Sequence, residues 1–207
     1  MNDTHPDRSP TTYVVDDDES IRTLWRWLME SNGIAVRTFA TAAEFIESYR
    51  SGDAGCLVLD LKLPGMSGLE LQEYLHGRDI EIPIVFVTGH GDVPAAVSAL
   101  KGGAVDFIQK PFSYKDVLLV IEKAFESDAK IREKRMRQSR IAGRLATLTE
   151  REQEVLQRVI EGKPNKIIAA DLDISMKTVE FHRAKVMEKM GVTSVAELVQ
   201  FAMQQSE

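Results

Sequence analysis

Cys56-Leu57-Val58-Leu59-Asp60 is an apolar run closed by a carboxylate, and Tyr13-Val14-Val15-Asp16-Asp17-Asp18 repeats the arrangement with three acids. Short apolar runs that end in polar turn residues read as buried strands. Ile84-Val85-Phe86-Val87 ends in Thr88, and Phe107-Ile108-Gln109 ends in Lys110. In an open α/β sheet, ligands lie outside the carboxyl ends of the strands, where the strand order reverses. Four strand ends thus converge on one pocket holding Asp16, Asp17, Asp60, Thr88 and Lys110. Carboxylates crowded together repel, so one must take up a proton or a cation must join them. Taken singly, each acid is a turn residue or a helix cap; the conjunction makes a site.

Working outward, apolar runs at 12–16, 34–39, 55–60, 82–88 and 105–109 alternate with helical patterns at 20–31, 41–50, 68–77, 92–102 and from Ser113 onward. Thr41 with Glu44, and Ser113 with Asp116, fit the helix-opening box or its Asp variant. Asp18 is expected to cap helix 20–31. Alternating strands and helices imply right-handed crossovers, hence a flavodoxin-like, doubly wound, five-stranded parallel sheet covered on both faces.

The charge is unevenly spread. Residues 1–126 carry 11 Lys/Arg against 20 Asp/Glu, residues 127–147 carry 7 against 2, and residues 148–207 carry 8 against 10. An acidic first part, a basic connector and a mixed last part describe a modular chain. The divisions are a loose tail at 1–11, an α/β domain at 12–126, a basic helical linker at 127–147 and a helical domain at 148–207. The linker has no Pro and a single Gly143 from 127 to 147, so a charged, solvated helix is its simplest form. One Cys and four His leave no thiolate or imidazole metal cluster in view, and Cys56 reads as a buried strand residue. No apolar stretch approaches membrane-spanning length, and a cytoplasmic location is expected.

The last sixty residues are helical throughout. Thr149 and Glu152 open a helix at 149–161 that Gly162 and Pro164 end; helices at 165–172, 175–190 and 194–205 follow, with Gly191 stopping the third. A short helix, a turn at Asp173-Ile174 and a second helix make a helix-turn-helix inside an all-α, four-helix domain. Asp173 stands at the turn, where Asp accepts a positive φ better than most residues.

Val15-Asp16-Asp17-Asp18, the stretch from Leu59 to Gly68, Val87-Thr88-Gly89-His90-Gly91-Asp92 and Lys110-Pro111-Phe112 resemble the receiver domain of two-component response regulators. Leu148-Thr149-Glu150-Arg151-Glu152 and the stretch from Lys177 to Arg183 resemble the LuxR-type helix-turn-helix. Together, in this order, they are similar to the FixJ/NarL class, and most to its FixJ-like members.

The resemblance implies that Asp60 accepts a phosphoryl group from a sensor histidine kinase. It implies a Mg²⁺ or other divalent ion ligated directly by Asp17, Asp60 and the Lys62 carbonyl, with Asp16 acting mainly through water. Lys110 would pair with the phosphate and the Thr88 hydroxyl would donate to it; Thr88 and Phe107 would form the switch. Many receivers carry Tyr where Phe107 stands, so the aromatic lacks a hydroxyl here. His90 is expected to sit exposed.

On the helical domain, Lys177, Thr178, Glu180, Phe181 and Ala184 would face the major groove of an operator duplex, with Lys163, Asn165, Lys166, His182, Arg183, Lys185 and Lys189 nearer the phosphates. Glu180 has two readings, acceptor for a cytosine amino group or surface ion pair with Arg183 or Lys177. The implied protein is a transcriptional regulator, and an activator by analogy, that dimerises on phosphorylation and works with RNA polymerase. It would be no turnover enzyme, since it only accepts and slowly loses its own phosphoryl group.

Two rivals remain. A Mg²⁺-dependent phosphohydrolase with Asp60 as nucleophile would carry a second Asp where Lys62 stands, and would leave 148–205 without a purpose. A constitutive DNA-binding protein with a vestigial receiver would keep its output without Asp60.

Overall fold

A computed structural model describes residues 9–89 and 93–203 of the chain. The loop residues His90, Gly91 and Asp92, and most of the expected N-terminal tail, lie outside the described residues. The chain divides into two compact units, 1–132 and 133–207.

In the first unit the strands are β1 (Thr11–Val15), β2 (Ala35–Phe39), β3 (Gly55–Leu59), β4 (Ile84–Thr88) and β5 (Asp106–Gln109). They form one parallel sheet in the order β2-β1-β3-β4-β5. The order reverses between β1 and β3, and that break is the crevice expected for a doubly wound sheet. Side chains alternate across the sheet. Tyr13, Val15, Leu57, Leu59 and Phe86 pack on one face with Phe45, Leu71, Leu75 and Ala99. Val14, Cys56, Val58, Val85 and Val87 pack on the other with Trp25, Leu28, Met29, Val117 and Ile121. Burial on both sides explains why β3 and β4 are apolar almost throughout, while the edge strands β2 and β5 keep the polar residues Arg37, Thr38, Asp106 and Gln109.

The connecting helices are α1 (Glu19–Ser31), α2 (Ala42–Ser48), α3 (Gly68–His76), α4 (Val93–Lys101) and the start of α5 (Tyr114–Leu145). Asp18 caps α1, accepting from the Ser20 N–H at 2.8 Å. Thr41 caps α2, but the Glu44 carboxylate accepts from the Ala40 N–H rather than returning to Thr41. A full reciprocal box forms instead at α3, between Ser67 and Glu70.

The basic helix is less solvated than its charge suggests. In the first unit, Asp128 is 3% exposed and accepts from the Gly55 N–H at 3.1 Å and Arg132 Nε at 2.7 Å. The start of the expected linker is therefore pinned to the beginning of β3. In the second unit Ile141 is buried, and Leu145 packs on the core of the helices that follow.

That second unit continues with α6 (Glu150–Ile160), α7 (Asn165–Asp171), α8 (Met176–Met190) and α9 (Val195–Met203). Val155, Val159, Ile168, Val179, Val186, Met190 and Leu198 form its core. Thr149 and Glu152 complete the box that opens α6. Gly191 ends α8 at φ 61°, a left-handed conformation that costs glycine little.

Candidate functional site

β1 and β3 are direct neighbours, with Val15 opposite Leu59, so the next residues, Asp16 and Asp60, emerge side by side. The Asp60 N–H donates to the Val15 carbonyl at 3.0 Å, which fixes the approach. Asp16 is 3% exposed, Asp60 8% and Thr88 0%. The cation demanded by this crowding is Lys110. Its ammonium donates to Asp16 Oδ2 at 2.6 Å and to Asp60 Oδ2 at 2.8 Å.

The remaining carboxylate oxygens are also occupied. Asp16 Oδ1 accepts from the Asp18 N–H at 3.0 Å, and Asp60 Oδ1 from the Lys62 N–H at 3.2 Å. Each buried acid is therefore satisfied on both oxygens, as buried polar groups must be. Burial raises the Asp16 pKa despite the opposing pull of Lys110. Burial lowers that of Lys110, but its hydrogen bonds to Asp16 and Asp60 and their charges carry it above the ordinary lysine value.

The other expected members stand further out. Asp17 is exposed, and Asp18 is the α1 cap, its carboxyl held below the usual range chiefly by the Ser20 N–H. Lys62 is exposed and meets Asp60 through its N–H. Among the described residues, no three acids, histidines or cysteines stand close enough to hold a metal. The physical reason is the engagement of Asp16 and Asp60 by Lys110 while Asp17 faces solvent. Phe107 is half-buried, with its ring 6.4 Å from that of Phe86. The Lys110 N–H donates to the Thr88 carbonyl at 2.8 Å, and the peptide between Lys110 and Pro111 is cis.

Two residues of this site escaped the sequence reading. Arg22 Nη1 donates to the main-chain carbonyls of Asp16 and Asp17, each at 2.8 Å. No sequence pattern announces a side chain that works on main-chain oxygens. Gly68 opens α3 against the phosphoacceptor candidate: a Cβ there would lie 2.3 Å from the Asp60 carbonyl oxygen. Its place within the Leu59 to Gly68 motif was the available signal.

In the second unit, Asp173 makes the turn between α7 and α8 with φ 52°, in the left-handed region. Ser175 caps α8 by accepting from the Thr178 N–H. Lys166, Lys177, Glu180, Phe181 and Ala184 are exposed, and Asn165 and Thr178 are half-exposed, on this helix pair. Among the described residues Glu180 pairs with neither Lys177 nor Arg183, so the surface ion pair does not form.

Several expected phosphate contacts are otherwise engaged. Lys163 bonds Asp171 at 2.8 Å and lies 3.2 Å from Glu161, while Lys185 bonds Glu188 at 2.8 Å. Lys189 turns inward, donating to Glu152 Oε2 at 2.6 Å and to the Thr147 carbonyl at 3.0 Å. It ties the end of α8 to the start of α6, a structural task. His182 is half-buried, and its buried Nδ1 has no hydrogen-bond partner among the described residues. Arg183 lays its stem along a small apolar space lined by Val155, Val159, Val186 and Leu198.

Comparison with known proteins accounts for both units. Residues 12–122 match the response regulator receiver domain, and residues 146–202 match the bacterial regulatory proteins of the luxR family. The transcriptional regulatory protein FixJ of Rhizobium meliloti is 45% identical over 193 residues, covering 93% of this chain and 95% of that protein. Among solved structures, the response regulator StyR is 45% identical with a TM-score of 0.84, covering 95% of this chain and 100% of that one. Full-length FixJ from B. japonicum is 38% identical with a TM-score of 0.57, covering 97% and 98%.

Proposed function

The chain belongs to the FixJ-like response regulators, two-component transcriptional regulators that join a receiver to a LuxR-type DNA-binding domain, and from that we propose that Asp60 is its phosphoacceptor. The observation that carries the proposal is the placement of Asp60 at the carboxyl end of β3, beside Asp16 and bonded to Lys110. In the step proposed, an Asp60 carboxylate oxygen attacks the phosphorus of the kinase phosphohistidine. The new O–P bond forms as the P–N bond breaks, and the imidazole leaves with the electron pair and takes up a proton.

Lys110 then pairs with phosphoryl oxygens, since its ammonium already stands at the acceptor. The Thr88 hydroxyl, at the end of the neighbouring β4, donates to another, and the half-buried Phe107 ring repacks with it. By type the donors suit Mg²⁺, since carboxylate oxygens from Asp16, Asp17 and Asp60 and the Lys62 carbonyl are hard ligands of the kind it takes together with water and phosphate; Lys110 would draw back from the two buried acids and Asp17 would turn inward to bring them together. Asp17 and Asp60 and the Lys62 carbonyl would hold it directly, with Asp16 reaching it through water. When bound, the ion supplies cancellation of charge on the transferring group.

The working divisions are a receiver at 12–126, a linker at 127–147 and a DNA-binding domain at 148–207, acting in the cytoplasm. Lys177, Thr178, Glu180, Phe181 and Ala184 read the major groove, while Asn165 and Lys166 meet phosphates. Phosphorylation favours a dimer that sets two α8 helices on two half-sites and activates transcription through RNA polymerase. Beryllofluoride, which stands in for an acyl phosphate, tests this on the full chain. It should raise the mass seen by light scattering and tighten binding to a duplex selected from a randomised pool; no change in either overturns the dimer switch.

A further inference from the structure

We propose that Arg22 is a positioning residue for the cation and phosphoryl site, resting on the reading of that pocket given above. Its Nη1 donates to two consecutive carbonyls, those of Asp16 and Asp17, at 2.8 Å each. An Nη nitrogen carries two hydrogens, so one atom can serve both oxygens at once. The two carbonyls belong to the peptides on either side of the Asp17 Cα, and holding both sets the direction in which the Asp17 Cα–Cβ bond leaves the chain.

Asp17 has need of such support. Asp16 is held by its own contacts, with Oδ1 on the Asp18 N–H and Oδ2 on Lys110. The Asp17 carboxylate is exposed, beyond that network. Arg22 is itself anchored: its N–H donates to the Asp18 carbonyl at 3.0 Å in the first turn of α1, the helix that Asp18 caps. The clamp therefore refers the loop that carries Asp17 to a rigid helix end. Partners of this kind, one step behind the ligands, commonly govern metal affinity by ten- to a hundredfold.

Charge and geometry make opposite forecasts. Arg22 is a cation beside a site for a cation, so by charge alone its removal should strengthen Mg²⁺ binding. If it acts by holding the loop, removal should weaken binding, because Asp17 must then be ordered at the moment of binding.

The test is Mg²⁺ titration of the full-length protein by calorimetry for wild type, Arg22→Met and Arg22→Lys. Arg22→Met should weaken Mg²⁺ binding about tenfold, with Arg22→Lys between it and wild type. Labelling of Asp60 by a small phosphodonor should slow at low Mg²⁺ and recover at saturating Mg²⁺, a split that a merely damaged fold would not give. The lysine variant keeps the charge and decides the matter if the methionine variant fails to fold. Variants that bind Mg²⁺ as tightly as wild type, or more tightly, overturn the role of Arg22. A wild type that binds no Mg²⁺ and resists labelling overturns the pocket assignment beneath it.

Discussion

Asp16 shows how a residue can be costly to the fold and yet stand in the middle of the pocket. Viewed from Lys110, the ion pair is favourable, since the two carboxylates raise the ammonium's pKa against burial. Viewed from Asp16 it is not, because burial outweighs Lys110 and raises the carboxyl pKa. The more buried partner decides, with side-chain exposure of 4% against 17%. A carboxyl whose pKa is raised on folding contributes its full stability below its unfolded value, and that share is lost as pH rises through the folded value. At neutral pH the Asp16 charge is therefore a net cost, while Lys110 keeps Asp60 if Asp16 is neutralised. Asp16→Asn should therefore raise the melting temperature of the receiver unit at pH 7, by several degrees for each kcal/mol recovered in a unit of roughly this size. The gain should shrink as pH falls through the carboxylate range; a lower melting temperature at pH 7 would contradict this balance. At this scale, the acids and Lys110 were legible because strand-end position and charge are written in sequence. Arg22 was not, since its partners are main-chain oxygens that every residue possesses. Nor was the inward turn of Lys189, whose partner Glu152 lies 37 positions away and meets it only in the fold.

The helices hold the site through their ends. Asp18 was legible as a cap because it directly precedes a helical pattern, and the structure places its carboxylate on the Ser20 N–H. Thr41 and Glu44 have the spacing of a reciprocal box, yet Glu44 finds the Ala40 N–H one residue earlier, a choice that spacing does not encode. The complete box at Ser67 and Glu70 has the same spacing and starts α3 just beyond Asp60. Between them Gly68 lets the helix approach the strand end, its N–H donating to the Leu61 carbonyl at 2.9 Å. A methyl at Gly68 would meet Asp60 main chain at 2.3 Å and the Phe86 ring at 3.0 Å, where backbone must give way. Gly68→Ala should therefore cost about 1–3 kcal/mol in urea unfolding and weaken beryllofluoride binding with it. Unchanged stability and binding would show that Asp60 tolerates the displacement.

Across the whole molecule, the alternation of strand and helix patterns made the five-stranded sheet legible, most plainly at β3 and β4, which are buried on both faces and almost wholly apolar. The place where one unit ends was harder to read, because α5 runs without interruption from Tyr114 to Leu145. Its charge resembles a solvated connector, while Asp128 is buried with Gly55 and Arg132 as partners and Ile141 is buried as well. The acidic receiver and the net charge of −6 also bear on output. Affinity for DNA grows with the number of phosphates neutralised, so the proposed dimer would gain by doubling the exposed cations Lys166 and Lys177 of each helix pair. All of this depends on Asp60 being the residue that changes state. The most direct measurement is intact-protein and peptide mass spectrometry after incubation with phosphoramidate and Mg²⁺. The wild type should gain one phosphoryl group, mapped to Asp60 and released by hydroxylamine, and Asp60→Asn should gain none. A wild type that stays unmodified, or a variant that is modified as fully as the wild type, would contradict the account.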